Sequence, residues 1–270
     1  MARSNSSPHL EVISCLPEGP ARQTPLLFVH GAFAGAWCWA EHFLPYFAGR
    51  GYAAHALSLR GHGGSDGHER LLWTGLREYA SDLERVIGDL GRPPVLVGHS
   101  MGGMVVQKYL ERASAPAVVL MAAVPPQGLL GASLWLAARD PLLFHELQLI
   151  QFGGPHFATV SAAQRAIFSA DMPYETVARY FSRMQPESQR VMLDMTWYDL
   201  PRFKPDGQVP MLVLGAENDA LLAPAMVRST ARAYGAEADI LPNMAHAMML
   251  EAGWRRAAKR LADWLDKLDL

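Results

Sequence analysis

The chain has 270 residues, 50% of them hydrophobic, which is enough to bury one large core or a core carrying an insertion. Its 24 basic and 26 acidic residues give a formal net charge of -2, and the basic ones are dispersed, so nothing marks a surface for nucleic acid or anionic lipid. No apolar run approaches the roughly 18 residues that a membrane-crossing helix needs, residues 1–9 lack the apolar stretch of a secretory signal, and Cys15 and Cys38 have no Cys-x-x-Cys spacing. A cytoplasmic protein with two reduced thiols is expected.

Residues 10–14 read as a first strand and 17–25 as a Pro- and Gly-rich connection. The uninterrupted apolar run Leu26-Leu-Phe-Val29 suits a strand buried on both faces. It ends in His30-Gly31-Ala32-Phe33, after which a helix is expected through Trp37, Trp39 and Phe43 to Phe47. Residues 53–59 form the next strand and deliver the loop Arg60-Gly-His-Gly-Gly-Ser65. Leu76, Tyr79, Leu83, Val86, Ile87 and Leu90 then recur at helical spacing. Pro94-Val-Leu-Val-Gly-His99 is a strand, the helix after Ser100 runs to about Ala113, and 117–123 is another strand.

From 125 to about 207 the rhythm breaks, and only helical stretches are expected; Asp171 before Pro173 and Glu175 reads as a helix cap. Strand character returns at Pro210-Met-Leu-Val-Leu-Gly215, followed by a helix over 224–234, a last strand over 238–241 and a closing amphipathic helix over 248–268. Short apolar strands alternating with amphipathic helices predict an α/β fold, a mostly parallel sheet with helices on both faces. The core would comprise residues 1–124 and 208–270, with 125–207 as an inserted helical cap that leaves and re-enters the sheet at its active edge. Ligands of such sheets bind beyond the carboxyl ends of the strands, where the loops at His30, Arg60 and Ser100 should meet.

Gly98-His-Ser-Met-Gly102 follows an apolar strand and opens a helix, the setting in which Gly-x-Ser-x-Gly exposes a nucleophilic serine. Gly63-Gly-Ser-Asp-Gly67 matches the same pattern but lacks the strand before it, so Ser65 reads as a loop residue. A serine hydroxyl needs a base, itself oriented by an acid. Asp219 follows the resumed strand and His246 follows the last one, and Ser…Asp…His is the chain order this architecture uses. Ser100 is therefore the expected nucleophile, His246 the base and Asp219 the acid, with Glu217 as the alternative acid. The oxyanion donors are expected to be the backbone N–H groups of Met101 and Ala32, with Phe33 the rival of Ala32. His99 is read as orienting the turn. No histidine spacing suits a metal and no Gly-x-Gly-x-x-Gly follows a strand, so neither a metal nor a cofactor is expected.

These motifs resemble the α/β-hydrolase superfamily over essentially the whole length. Leu59-Arg-Gly-His-Gly-Gly-Ser-Asp-Gly67 with Tyr79 and Asp82 is similar to the monoacylglycerol lipase and lysophospholipase branch, and His30-Gly-Ala-Phe-Ala-Gly-Ala-Trp-Cys-Trp39 to plant methylesterases and hydroxynitrile lyases. The lyases carry lysine directly after the catalytic histidine, where this chain has Ala247; epoxide hydrolases and haloalkane dehalogenases carry Asp where Ser100 stands. Ala245 stands where many relatives have Gly. The resemblance implies a serine carboxylic-ester hydrolase working through an acyl-enzyme. Its partner would be a small hydrophobic ester, with Met172, Met184, Met192, Met195, Trp135, Trp197 and Phe152 candidates to line an acyl pocket. Thioester, lactone or C–C bond hydrolysis, cofactor-free perhydrolysis, and a non-turnover small-molecule receptor are the alternatives.

Overall fold

Leu26-Leu-Phe-Val29 has no polar side chain and all four residues are wholly buried, as a central strand covered on both faces requires. In the computed structural model, which describes residues 8–154, 157–202, 209–268 and 270, this strand is β2 (Leu26–Val29) of a seven-stranded sheet. The others are β1 (Val12–Cys15), β3 (Ala54–Leu57), β4 (Val95–His99), β5 (Val118–Met121), β6 (Met211–Ala216) and β7 (Ala238–Leu241). The spatial order is β1-β3-β2-β4-β5-β6-β7, with β1 antiparallel to β3 and every other pair parallel. The period-2 alternation of a pleated strand sorts the two faces: Leu26 and Phe28 join one buried cluster, Leu27 and Val29 the other.

Helices α1 (Trp37–Ala40), α2 (Phe43–Ala48) and α11 (Trp254–Leu265) contribute to the first cluster. Helices α3 (Leu76–Asp89), α4 (Met101–Tyr109) and α10 (Pro224–Ala233) contribute to the second. From β2 the chain passes to β3 on one side, then crosses back to β4 on the other. The carboxyl ends of β2 and β4 thus flank the point where the strand order reverses, which is where such sheets bind ligands.

Between β5 and β6 the described residues form five α-helices, α5 (Leu130–Arg139), α6 (Pro141–Gly153), α7 (Val160–Ile167), α8 (Tyr174–Phe181) and α9 (Gln189–Leu193), the last continued by a π-helical turn over Asp194–Tyr198. The expected boundary at 207/208 falls outside the described residues. The chain leaves β5 at the carboxyl edge, but β6 runs parallel to β5 with Val118 opposite Met211, so it must begin at the other edge. Re-entry at the active edge is therefore corrected. The return runs past the far end of α4, where Lys108 pairs with Asp199 and the Arg202 N–H donates to Glu111. Among the described residues no helix is long and apolar enough to cross a membrane.

Three further expectations shift. The helix through Trp37 to Phe47 is two short helices, broken at His42. Pro173 itself occupies the position before α8, so Asp171 is no cap; among the described residues the side-chain caps that form are Asp140, Thr159 and Ser188, each accepting the N–H of the third residue of its helix. The closing helix starts at Trp254, because Met248, Met249 and Leu250 are drawn instead into turns that pack against the core.

Candidate active site

Ser100 sits between β4 and α4 with φ 51° and ψ -117°, a conformation that L residues rarely adopt. Space explains the glycines beside it: a Cβ at Gly98 would lie 2.6 Å from the Gly102 carbonyl oxygen, and one at Gly102 would lie 2.5 Å from the His30 carbonyl oxygen. The non-glycine residues of positive φ among those described are Phe33, Ser100, Ala122 and Asn243. Each follows the carboxyl end of a parallel strand, so backbone strain is concentrated at the reversal edge. Ser65, in the second copy of the motif, is buried and donates to the Ser58 carbonyl at 2.6 Å while accepting the Glu11 N–H at 2.8 Å. Its hydroxyl is committed to holding a loop.

The structure brings Asp219 and His246 together, with His246 Nδ1 2.7 Å from Asp219 Oδ2 and both side chains almost fully buried. The other carboxylate oxygen accepts the N–H groups of Leu221 at 2.8 Å and Leu222 at 2.9 Å. With the carboxylate accepting at Nδ1, that nitrogen carries the proton and Nε2 keeps its lone pair. Glu217, the alternative acid, accepts the Asn243 N–H instead. Two backbone bonds, Glu217 N–H to Leu241 and Asn218 N–H to Met244, tie the Asp219 loop to the His246 loop. His99 donates from Nε2 to the His246 carbonyl at 2.9 Å, so it braces the His246 loop rather than the serine's turn alone. Burial, and then the neighbouring His246, hold the His99 imidazole well below the ordinary histidine range, so it is neutral.

Ser100, His246, Ala32 and Met101 all line one cavity of about 230 Å³. Leu129, Leu136, Phe144, Leu147 and Ile150 from the inserted segment supply much of its opposite wall. No Asp, Glu, Lys or Arg lines it among the described residues, and Cys38 contributes a thiol whose ionisation burial opposes. Of the residues expected to line an acyl pocket, Met184, Met192 and Met195 do so. Met172 is instead buried in the core, Trp135 packs on a satellite cluster, and Phe152 and Trp197 are exposed. For Trp135, Phe152 and Trp197 the cause is that helical residues alternate in the direction they face, and composition does not say which face is inward. Arg179 and Arg183 pair with Glu41, and Arg190 with Asp194, outside the cavity lining.

One residue of the site escaped the sequence reading. Glu187, between α8 and α9, is buried and accepts four hydrogen bonds: Tyr79 Oη at 2.8 Å and Ser188 N at 2.7 Å on one oxygen, His62 Nε2 at 3.0 Å and Phe33 N at 3.3 Å on the other. His62 Nδ1 faces the Arg60 carbonyl at 3.2 Å, so both ring nitrogens meet acceptors and the ring is an imidazolium. Burial pulls the His62 pKa down, but the charge and hydrogen bonds of Glu187 outweigh it, and the net shift is upward. Burial likewise opposes ionisation of Glu187, and the charge of His62 with the surrounding donors brings its pKa below the usual carboxylate value. His30, 4.9 Å from His62 ring to ring, is the opposite case. It accepts the Leu59 N–H at Nε2 and donates from Nδ1 to Gly31, and burial and the charge of His62 lower its pKa to about 3.

The His62–Glu187 pair sets a pH window for stability. The contribution of His62 is complete below pH 6.5 and fades as pH rises through its elevated folded value; that of Glu187 is complete above pH 4.5 and fades as pH falls through its depressed one. Urea unfolding of His62→Gln should show a stability loss of about 3–5 kcal/mol near pH 6, shrinking as pH rises. A loss independent of pH would contradict the charged pair.

The profile of the alpha/beta hydrolase family matches residues 26–263. A non-heme chloroperoxidase of Streptomyces lividans is 37% identical over 116 residues, 40% of this chain and 40% of that protein. The match thus spans less than half of that curated relative. Epoxide hydrolase 3 of Xenopus tropicalis is 30% identical over 251 residues, 84% of this chain and 68% of that protein. A thermophilic esterase from Thermogutta terrifontis superposes with a TM-score of 0.75 at 19% identity, covering 99% of this chain and 97% of that one, which shows a shared fold.

Proposed function

The chain belongs to the alpha/beta hydrolase family, and on that premise we propose that it is a serine hydrolase cleaving a carboxylic ester of a small hydrophobic substrate through an acyl-enzyme. The observation that carries this reading is the buried 2.7 Å bond between His246 Nδ1 and Asp219 Oδ2, beside a cavity that also exposes Ser100 on a strained turn. His246 Nε2 takes the proton of Ser100 as Oγ attacks the ester carbonyl carbon. The tetrahedral oxyanion is met by the N–H groups of Ala32 and Met101, each worth about 2.7–4 kcal/mol in acyl transfer. His246 then gives the proton to the leaving alcohol. Water, deprotonated by the same imidazole, attacks the acyl-enzyme and frees the acid and Ser100. Phe33 is the weaker candidate for second donor, since its N–H already points at Glu187. In this reading residues 125–207 act as the cap whose inner face sets the substrate.

The lining, with no Lys or Arg among the described residues, supports an apolar acyl or alcohol group and gives a carboxylate no cationic partner. The names of the chloroperoxidase and epoxide hydrolase relatives point to other chemistries on this fold. Ser100, where epoxide hydrolases carry Asp, weighs against epoxide opening. With p-nitrophenyl esters of increasing acyl length, kcat/KM is expected to climb by up to roughly fourfold per methylene buried, until the cavity is full. Thioesters, lactones and peroxide as acyl acceptor run beside them. A lactone or thioester outpacing every ester, or a preference for a carboxylate-bearing acyl group, would overturn the ester assignment.

A further inference from the structure

The inserted segment grips the proposed oxyanion loop through its backbone. Phe33 follows Ala32 and holds φ 63°, a strained state for a side chain of that size. Both of its backbone polar groups bond to the segment between α8 and α9. The Gln185 N–H donates to the Phe33 carbonyl at 3.0 Å, and the Phe33 N–H donates to Glu187 Oε2 at 3.3 Å. Gln185 extends the grip to the neighbouring loop: its Oε1 accepts the Gly63 N–H at 2.8 Å and its Nε2 donates to the Gly61 carbonyl at 2.7 Å. Two donors on each oxygen of Glu187 fill the four acceptor positions of a carboxylate, so the group has one orientation in which nothing buried is left unpaired.

We propose that Glu187 and Gln185 are positioning residues for the oxyanion site, holding the Ala32–Phe33 backbone so that the Ala32 N–H is preset toward the tetrahedral intermediate; this rests on the serine-ester reading above. Charge fits the role. A bare carboxylate so close to a developing oxyanion would oppose it, and the His62 imidazolium cancels that charge. The clamp also couples the two halves of the site. The segment that carries the acyl-facing Met184 and Met192 also carries Gln185 and Glu187, so seating of the acyl chain and alignment of the donor depend on one another.

Glu187→Gln tests this. The amide retains one oxygen acceptor but places an NH2 group where two donors now point. A donor displaced by about 1 Å costs on the order of 10²-fold in rate, so kcat is expected to fall by about that factor with KM within roughly threefold. The inhibition constant of a trifluoromethyl ketone, which forms a tetrahedral oxyanion adduct, should rise in parallel with the loss in kcat/KM. A merely structural role would move the unfolding midpoint and leave that ratio alone. Gln185→Ala, which spares every buried charge, should shift kcat and ketone affinity the same way by a smaller factor, and it decides the matter if Glu187→Gln does not fold. Unchanged kcat and ketone affinity in the folded variants overturn the clamp. Turnover retained in Ser100→Ala would instead remove the serine reading itself, so the two failures are distinguishable.

Discussion

Ser100→Ala is expected to lower kcat for p-nitrophenyl acetate by a factor on the order of 10⁴ or more, with the fold intact. The position explains why so small a change should matter. The backbone at φ 51° exists to carry this hydroxyl out of the strand end, and the two flanking glycines are spent on making the turn fit. Alanine keeps Cβ and the backbone and removes only the atom that would bond to the acyl carbon. Among the described residues the other serine that lines the cavity, Ser133, comes from α5 with no base bonded to it, and Ser65 of the second motif copy is held by Ser58 and Glu11. Residual rate from the oxyanion donors and binding alone would stand about 10³–10⁴ above water. Steady-state assay together with mass spectrometry of a covalent acyl adduct checks it. An adduct or near-native turnover in Ser100→Ala would end the proposed mechanism.

Asp219→Asn should cost about 10⁴ in kcat while leaving the structure nearly unchanged, and the reason is specific to how Asp219 is held. Its Oδ1 is fixed by the N–H groups of Leu221 and Leu222, both of which need an acceptor. An asparagine would therefore keep its amide oxygen at that position and turn its NH2 toward His246 Nδ1. A donor facing Nδ1 selects the tautomer protonated at Nε2, which cannot take the proton of Ser100. The 2.7 Å contact would survive with its direction reversed. Raising the pH should not restore activity, because the defect lies in the tautomer rather than in protonation. Recovery of wild-type kcat at alkaline pH, or a loss of less than about tenfold, would show that Asp219 does not orient the base.

The sheet was legible because its signals are local. Leu26–Val29 and Val95–His99 are apolar runs bounded by turn residues, and they emerged as central strands within a residue of expectation. Boundaries were less legible wherever an apolar residue serves something other than a helix face. Met248 to Leu250 carry the apolar content of a helix but are used to pack turns beside the cavity. Asp171 had the spacing of a cap, but α8 begins one turn position later, with Pro173 in the cap position.

Glu187 marks the limit most sharply. In Gln185-Pro-Glu-Ser188 it looks like any solvated loop carboxylate, and its partners His62, Tyr79 and Phe33 lie 125, 108 and 154 residues away. No periodicity connects such positions. Burial with four donors exists only once the insertion has folded back onto the loops after β2 and β3. The proposed acid and base were different in kind: Asp219 and His246 could be named because each follows a strand of a parallel sheet, and topology places every such loop at one edge.

Sequence alone, then, determined the strand order's raw material, the strained serine turn, and which polar residues arrive at the carboxyl edge, since strand periodicity and the steric needs of Gly98 and Gly102 are written into adjacent residues. Tertiary structure alone decided which face of each inserted helix lines the cavity, which of Asp219 and Glu217 meets His246, and that Glu187 closes on the loop carrying Phe33. Those choices rest on side-chain direction and long-range contact, and neither has a local signature for the chain to display.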